Sequence, residues 1–187
     1  MLRVSRIAAM GLAIALTSSA LFAQFDPDAF YVSVPFTTAP GIYEVDPDTG
    51  DVTPFAVPLI IPHYGWFGND GNFYVPDRGV PGVLRIYPDG AVDLFAVGGN
   101  FIRPVTVIPT FDDTEMIVSD MNANMIVQVD YDGNQTVLYD NTTMGGLLDG
   151  PDGMAWDADG NLYVANLGSD SIIKIDTNGV GSLFSDS

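Results

Sequence analysis

Beyond its first residues the chain alternates apolar and polar positions in short runs. No stretch keeps a 3.6-residue apolar period for more than about two turns without a glycine or proline, so the pattern predicts strands and almost no helix. The runs recur. Phe30-Tyr31-Val32, Phe73-Tyr74-Val75, Met116-Ile117-Val118 and Leu162-Tyr163-Val164 stand 43, 43 and 46 residues apart. Each is followed by a second alternating run, ending at Asp46, Tyr87, Asp130 and Asp176. A glycine-containing turn then leads to a third run that closes on Phe55, Phe95, Tyr139 and Phe184. Three copies are preceded by a segment opened by proline, at Pro62, Pro104 and Pro151; the first has only Gln24 to Asp28 ahead of Ala29.

Four short antiparallel strands in a period of roughly 43 residues make one blade of a propeller. The predicted fold is an all-β propeller of four-stranded antiparallel blades, about four of them, near 29–57, 58–98, 99–142 and 143–187, in one domain over 24–187. A single blade cannot bury both faces, so the aromatic and β-branched residues at matching positions are read as inter-blade core. Ring closure has three readings: a small four-bladed ring, part of a larger ring, or a ring completed by self-association with a second copy. The larger ring is favoured, because the natural element after Phe184 is another leading strand.

Residues 1–23 follow a different pattern. Arg3 and Arg6 precede an apolar run from Ile7 to Leu16 and then small residues, with Ala20 and Ala23 as cleavage candidates; this is the order of a secretory signal peptide. The run is too short to span a bilayer, so a secreted or periplasmic product with no membrane span after cleavage is expected. The chain has no cysteine, which excludes disulfides and thiolate chemistry. Its net charge is −18, and residues 24–187 carry only Arg78, Arg85, Arg103 and Lys174 against 24 acids, all but Glu44 and Glu115 being Asp. Such a surface repels nucleic acid. The acids sit mostly in turns such as Asp70-Gly71 and Asp159-Gly160.

Residues Val118 to Ile126 resemble the core of an NHL-repeat blade. Residues Pro151 to Ala165 resemble a blade of the SMP-30/gluconolactonase/LRE family, and the likeness extends over about 29–184. That resemblance implies a divalent metal, commonly Ca2+, held at the central channel by a glutamate, asparagines and an aspartate, polarising a lactone carbonyl and activating water. Asp152, in a Pro-Asp-Gly turn, is the residue that matches the family's aspartate and is the candidate metal ligand. Val105 stands where the family places an asparagine, and no Glu-Gly-Pro opening is present.

His63, equivalent to Asp152 in its own repeat, is the only histidine and hence the candidate catalytic proton carrier. Arg103, Asp149 and Asn166 are candidates for the channel rim. Arg103 suits a carboxylate-bearing ligand, although an ion pair with an Asp from a nearby blade is expected first. Asp77, Asp120 and Asn166 share one position and are read as staples to backbone N–H groups. Asp46 to Asp51 and Asp157 to Asn161 have the spacing of peripheral calcium loops, without the closing Glu of an EF-hand. Asn134 and Asn141 open glycosylation triplets. Two functions are carried forward. One is an exported propeller that binds a small molecule, glycan or protein at the channel mouth; the other is a calcium-dependent lactone hydrolase.

Overall fold

A computed structural model describes residues 25–186, so the expected signal peptide lies outside the described residues. Within them there are fifteen strands and no helix. The first sheet has three strands, β1 (Phe30–Val34), β2 (Gly41–Val45) and β3 (Val52–Ala56). The second contains β4 (Trp66–Phe67), β5 (Phe73–Asp77), β6 (Gly82–Ile86) and β7 (Val92–Val97). The third runs through β8 (Pro104–Pro109), β9 (Met116–Asp120), β10 (Met125–Val129) and β11 (Gln135–Asp140). The fourth is β12 (Pro151–Trp156), β13 (Leu162–Asn166), β14 (Ser171–Ile175) and β15 (Gly181–Asp186). Every pairing within a sheet is antiparallel between consecutive strands, so each sheet is the meander that the repeat predicts.

The alternation along each second strand assigns its two faces. Phe73 and Val75 of β5 pack with Ile42 and Ala56 of the first blade and with Leu59 just beyond it. Tyr74 between them faces the third blade, with Val107, Met116 and Val118. Ile117 in turn faces the fourth blade, with Leu162, Val164 and Ile173. The protein therefore has three cores, one at each joint between successive blades, and β5 and β9 are buried along their whole length. The arc is open: Phe30 and Val32 on the first blade and Ile172 and Phe184 on the last remain exposed on the outward faces.

A bulge recurs in the outer strand pair of every blade, at Ile42/Tyr43, Val83/Leu84, Ile126/Val127 and Ile172/Ile173. The residue it skips is Phe55, Phe95 and Phe184 in three blades, but Leu138 in the third. Tyr139, grouped with those aromatics by sequence, sits one place further along. The turn before the last strand also has a packing role. Gly90 and Gly133 have positive φ, and a Cβ on either would lie 2.7 Å from the carbonyl oxygen of Phe55 or Phe95 in the preceding blade. Only glycine meets both demands.

Candidate channel-rim site

The rim is built on one rung repeated in three blades. Each leading proline pairs with the polar residue ending the second strand: Pro62 with Asp77, Pro104 with Asp120, Pro151 with Asn166. The buried carboxylate of Asp77 accepts N–H bonds from Ile60, Ile61 and Gly79 at 2.7–2.9 Å. Asp120 accepts from Ile102, Arg103, Asn122 and Ala123. Asn166 accepts from Asp149 N–H and donates to the Leu147 carbonyl at 2.7 Å. Beside each staple runs a backbone bond of the same kind: Arg78 N–H to Ile61 O, Met121 N–H to Arg103 O, and Leu167 N–H to Gly150 O.

His63 and Asp152 follow the leading prolines on this rim. The innermost segments of the second and third blades are joined there by Tyr64 N–H to Val105 O and Val107 N–H to Tyr64 O, both 3.1 Å. Ser119 Oγ donates to the Asp152 carbonyl at 2.6 Å, fixing the third blade to the fourth. Two clefts open around these strands. One of about 620 Å³ is lined by Tyr64, Thr106, Asp152, Asn166 and Leu167. The other, about 670 Å³, is lined by Ser33, Phe36, His63, Tyr64, Trp66 and Phe67. Tyr64 borders both, whereas His63 lines only the second and Asp152 only the first.

Electrostatics link the two clefts. Burial pushes the His63 imidazole down to about 4, with Arg78 and Arg103 adding to the effect and Asp77 opposing it. Burial raises the Asp152 carboxyl, and the same two arginines oppose that rise. Arg78 is itself lowered, by burial and then by Arg103. His63 is thus neutral at pH 7, held edge-on by Phe36 and Tyr64. Its Nε2, Asp152 Oδ1, Thr106 Oγ1, Ser33 Oγ and Arg78 Nε are buried and have no hydrogen-bond partner among the described residues.

The rim thus gathers His63, Asp152, Asn166 and Arg103. Asp149, bonded through its N–H to Asn166, lines a smaller cleft of about 490 Å³ with Asn124 and Asn141, and the Asn166 amide is occupied by its staple bonds. The ion pair expected for Arg103 does not form among the described residues, and Asp120 of its own blade spends its oxygens on backbone N–H groups. Arg78, Tyr64, Thr106 and Ser33 were not singled out from sequence. For Arg78 the signal was there: a base immediately after Asp77, where the other blades have Met121 and Leu167.

Calcium was tested against these residues. Asp152 is the one carboxylate among the unpartnered rim atoms, it is under the field of two arginines, and no group of three His, Asp or Glu converges among the described residues. A hard dication needs six to eight oxygens, largely anionic, so this donor set does not fit one. In the two loops with calcium-like spacing, the Asp46 and Asp157 carboxylates accept bonds from their own turns.

A model of the SMP-30/gluconolactonase/LRE-like region matches residues 33–183. The chain belongs to that family. Among solved structures, this family member is similar to virginiamycin B lyase from Staphylococcus aureus, with TM-score 0.69, 15% identity, and 87% of this chain and 54% of that chain covered. It is also similar to regucalcin from Agrobacterium tumefaciens, described as a calcium-binding protein: TM-score 0.64, 19% identity, coverage 88% and 58%. A chain of a nidogen/laminin complex gives TM-score 0.66 at 16% identity, with coverage 84% and 60%. The chain spans about half the length of the first of these. At such identities the likeness is one of fold. No curated protein matches the family member in sequence.

Proposed function

We propose that this protein is an exported propeller that binds a small molecule, glycan or protein at its channel mouth without transforming it. The observation that carries this reading is the set of buried polar atoms on the rim without partners among the described residues, contributed by four blades: Ser33 Oγ, His63 Nε2, Arg78 Nε, Thr106 Oγ1 and Asp152 Oδ1. Each such atom costs free energy unless something bonds to it, and four of the five residues line the two open clefts. The order of charge, apolar run and small residues over 1–23 supports export. For the chemistry of hydrolysis the rim is poorly equipped. Among the described residues His63 Nε2 has no partner, and His63 and Asp152 line different clefts.

The hydrolase reading rests on family membership and on a calcium-binding structural neighbour. A thermal melt with and without calcium, on the parent protein and on Asp152→Ala, decides between the two. A ligand that binds only the folded state raises the midpoint by mass action. The expected result is no calcium shift in either protein. A shift in the parent that disappears in the variant would replace the binding reading with a metal-dependent one.

A further inference from the structure

Each of the last three blades begins with an innermost segment that pairs with its second strand, at Pro62 to Phe67, Pro104 to Pro109 and Pro151 to Trp156. In the first blade the strand matching those second strands is β1, and among the described residues it pairs with β2 alone. Its inner edge borders a cleft instead of a strand. This is the cleft of about 670 Å³, with Ser33 and Phe36 from the first blade and His63, Tyr64, Trp66 and Phe67 from the second. All but Ser33 and His63 are exposed apolar or aromatic side chains. No Asp, Glu, Lys or Arg lines it, in a chain with 24 acids.

The hydrogen-bonding groups at this edge are those that seat an inner strand elsewhere in the protein. In the third blade Ser119 Oγ accepts the Thr106 N–H of its own inner strand at 3.2 Å and donates to the Asp152 carbonyl of the next blade at 2.6 Å. Ser33 has the place in β1 that Ser119 has in β9, each opposite an isoleucine of the following strand, and His63 has the place of Asp152. Ser33 Oγ is buried with no partner among the described residues. Among them the His63 carbonyl enters no backbone bond either. One N–H brought to Ser33 Oγ completes the same relay and removes the cost of a buried polar group left unpaired. The inner strands also bond side by side, Val107 N–H to Tyr64 O; the corresponding N–H of the second blade, on Gly65, is likewise unused among the described residues. An open strand edge of this kind is a template for another strand. One difference points to where that strand comes from. Asp77, Asp120 and Asn166 tie down the segment leading into the inner strand of their own blade, whereas β1 has Val34 at that place, which offers no side-chain acceptor. A strand seated here has no stapled lead-in, as suits one that arrives from a separate molecule.

We infer that the inner edge of β1 receives an extended, uncharged peptide segment of a partner protein, which adds the fourth strand to the first blade. This assignment rests on the binding function proposed above and names its ligand class. The segment runs antiparallel to β1 and alongside His63 and Tyr64, with one N–H on Ser33 Oγ and its side chains against Phe36, Tyr64 and Trp66. A proline followed by mainly apolar residues suits it, because the three inner segments of the protein itself are built that way.

The probes are the end-capped peptide Pro-Val-Thr-Val-Ile-Pro, which has the sequence of residues 104–109, and the same peptide N-methylated at its threonine. Each is titrated calorimetrically into the full protein, and amide hydrogen exchange is followed in β1. The unmodified peptide should bind saturably and slow exchange along the inner edge of β1. The N-methylated peptide should bind at least about tenfold more weakly, the worth of one hydrogen bond to a buried acceptor. Ser33→Ala should cost a similar factor, while Lys174→Gln, on the fourth blade, changes nothing. Equal binding of the two peptides, or binding that leaves β1 exchange unchanged, overturns strand addition. Inner-edge amides of β1 that are already protected in the protein alone also overturn it, since a strand of this chain or of a second copy is then in place. If neither peptide binds, the inference fails; a panel of glycans and small molecules then tests the channel-mouth reading by itself. The comparison of peptides uses the parent protein alone, so it stands even where a variant folds poorly.

Discussion

His63 shows what a rim position does to a single residue. Its ordinary value of 6.5 is pushed down to about 4, by burial first and by Arg78 and Arg103 after it. In the unfolded chain the ring takes up its proton below pH 6.5; in the folded protein it does so only near 4. Between those values the unfolded state binds the extra proton, so stability falls as the pH drops through this window and is unaffected by His63 above it. A His63→Gln protein should therefore lose less of its melting midpoint than the parent between pH 6.5 and 4, with the two curves parallel from pH 7 to 8. Parallel curves throughout would show that the ring is not shielded. That His63 and Asp152 are equivalent was legible from the repeat. That they line different clefts, both bordered by Tyr64, was not, because where a side chain points on the rim depends on how the sheets twist, which alternation does not encode.

At the scale of the element, the blade depends on its staple. Asp120 is fully buried and satisfies four backbone N–H groups on both sides of the β8–β9 pairing. Asp120→Ala leaves those donors unmatched and should destabilise the protein by about 3 kcal/mol, in the range for breaking a buried charged network. Asp120→Asn keeps an acceptor, as Asn166 does in the fourth blade, and should cost less. Chemical denaturation of both variants measures the difference, and equal losses would mean that the charge, not the acceptor geometry, holds the blade. The period, the strand order and the staple position could all be read from sequence, since each recurs in register. The place of Tyr139 could not: a bulge shifts the third run by one residue, and a bulge leaves no fixed residue type behind.

For the whole molecule, stacking sets a gradient of stability. β5 and β9 are buried on both faces, whereas β1 and β15 each have exposed outward residues. In a stack where each unit touches only its neighbours, the end units open first. Amide hydrogen exchange should therefore be slowest in β5, β6, β9 and β10 and fastest in β1 and β15. Uniform protection across the four sheets would point instead to closure of the arc in solution.

The repeated rung divides labour between main chain and side chain. At Arg103 the peptide N–H serves Asp120 and the carbonyl serves Met121, while the guanidinium makes no ion pair among the described residues. The same holds for the peptide of Arg78, whose N–H is given to Ile61. These slots can exchange one side chain for another while the blade beneath stays as it was. A lineage, or a designer, can thus rewrite what the rim prefers by drift at a few such slots, with folding largely insulated from the change.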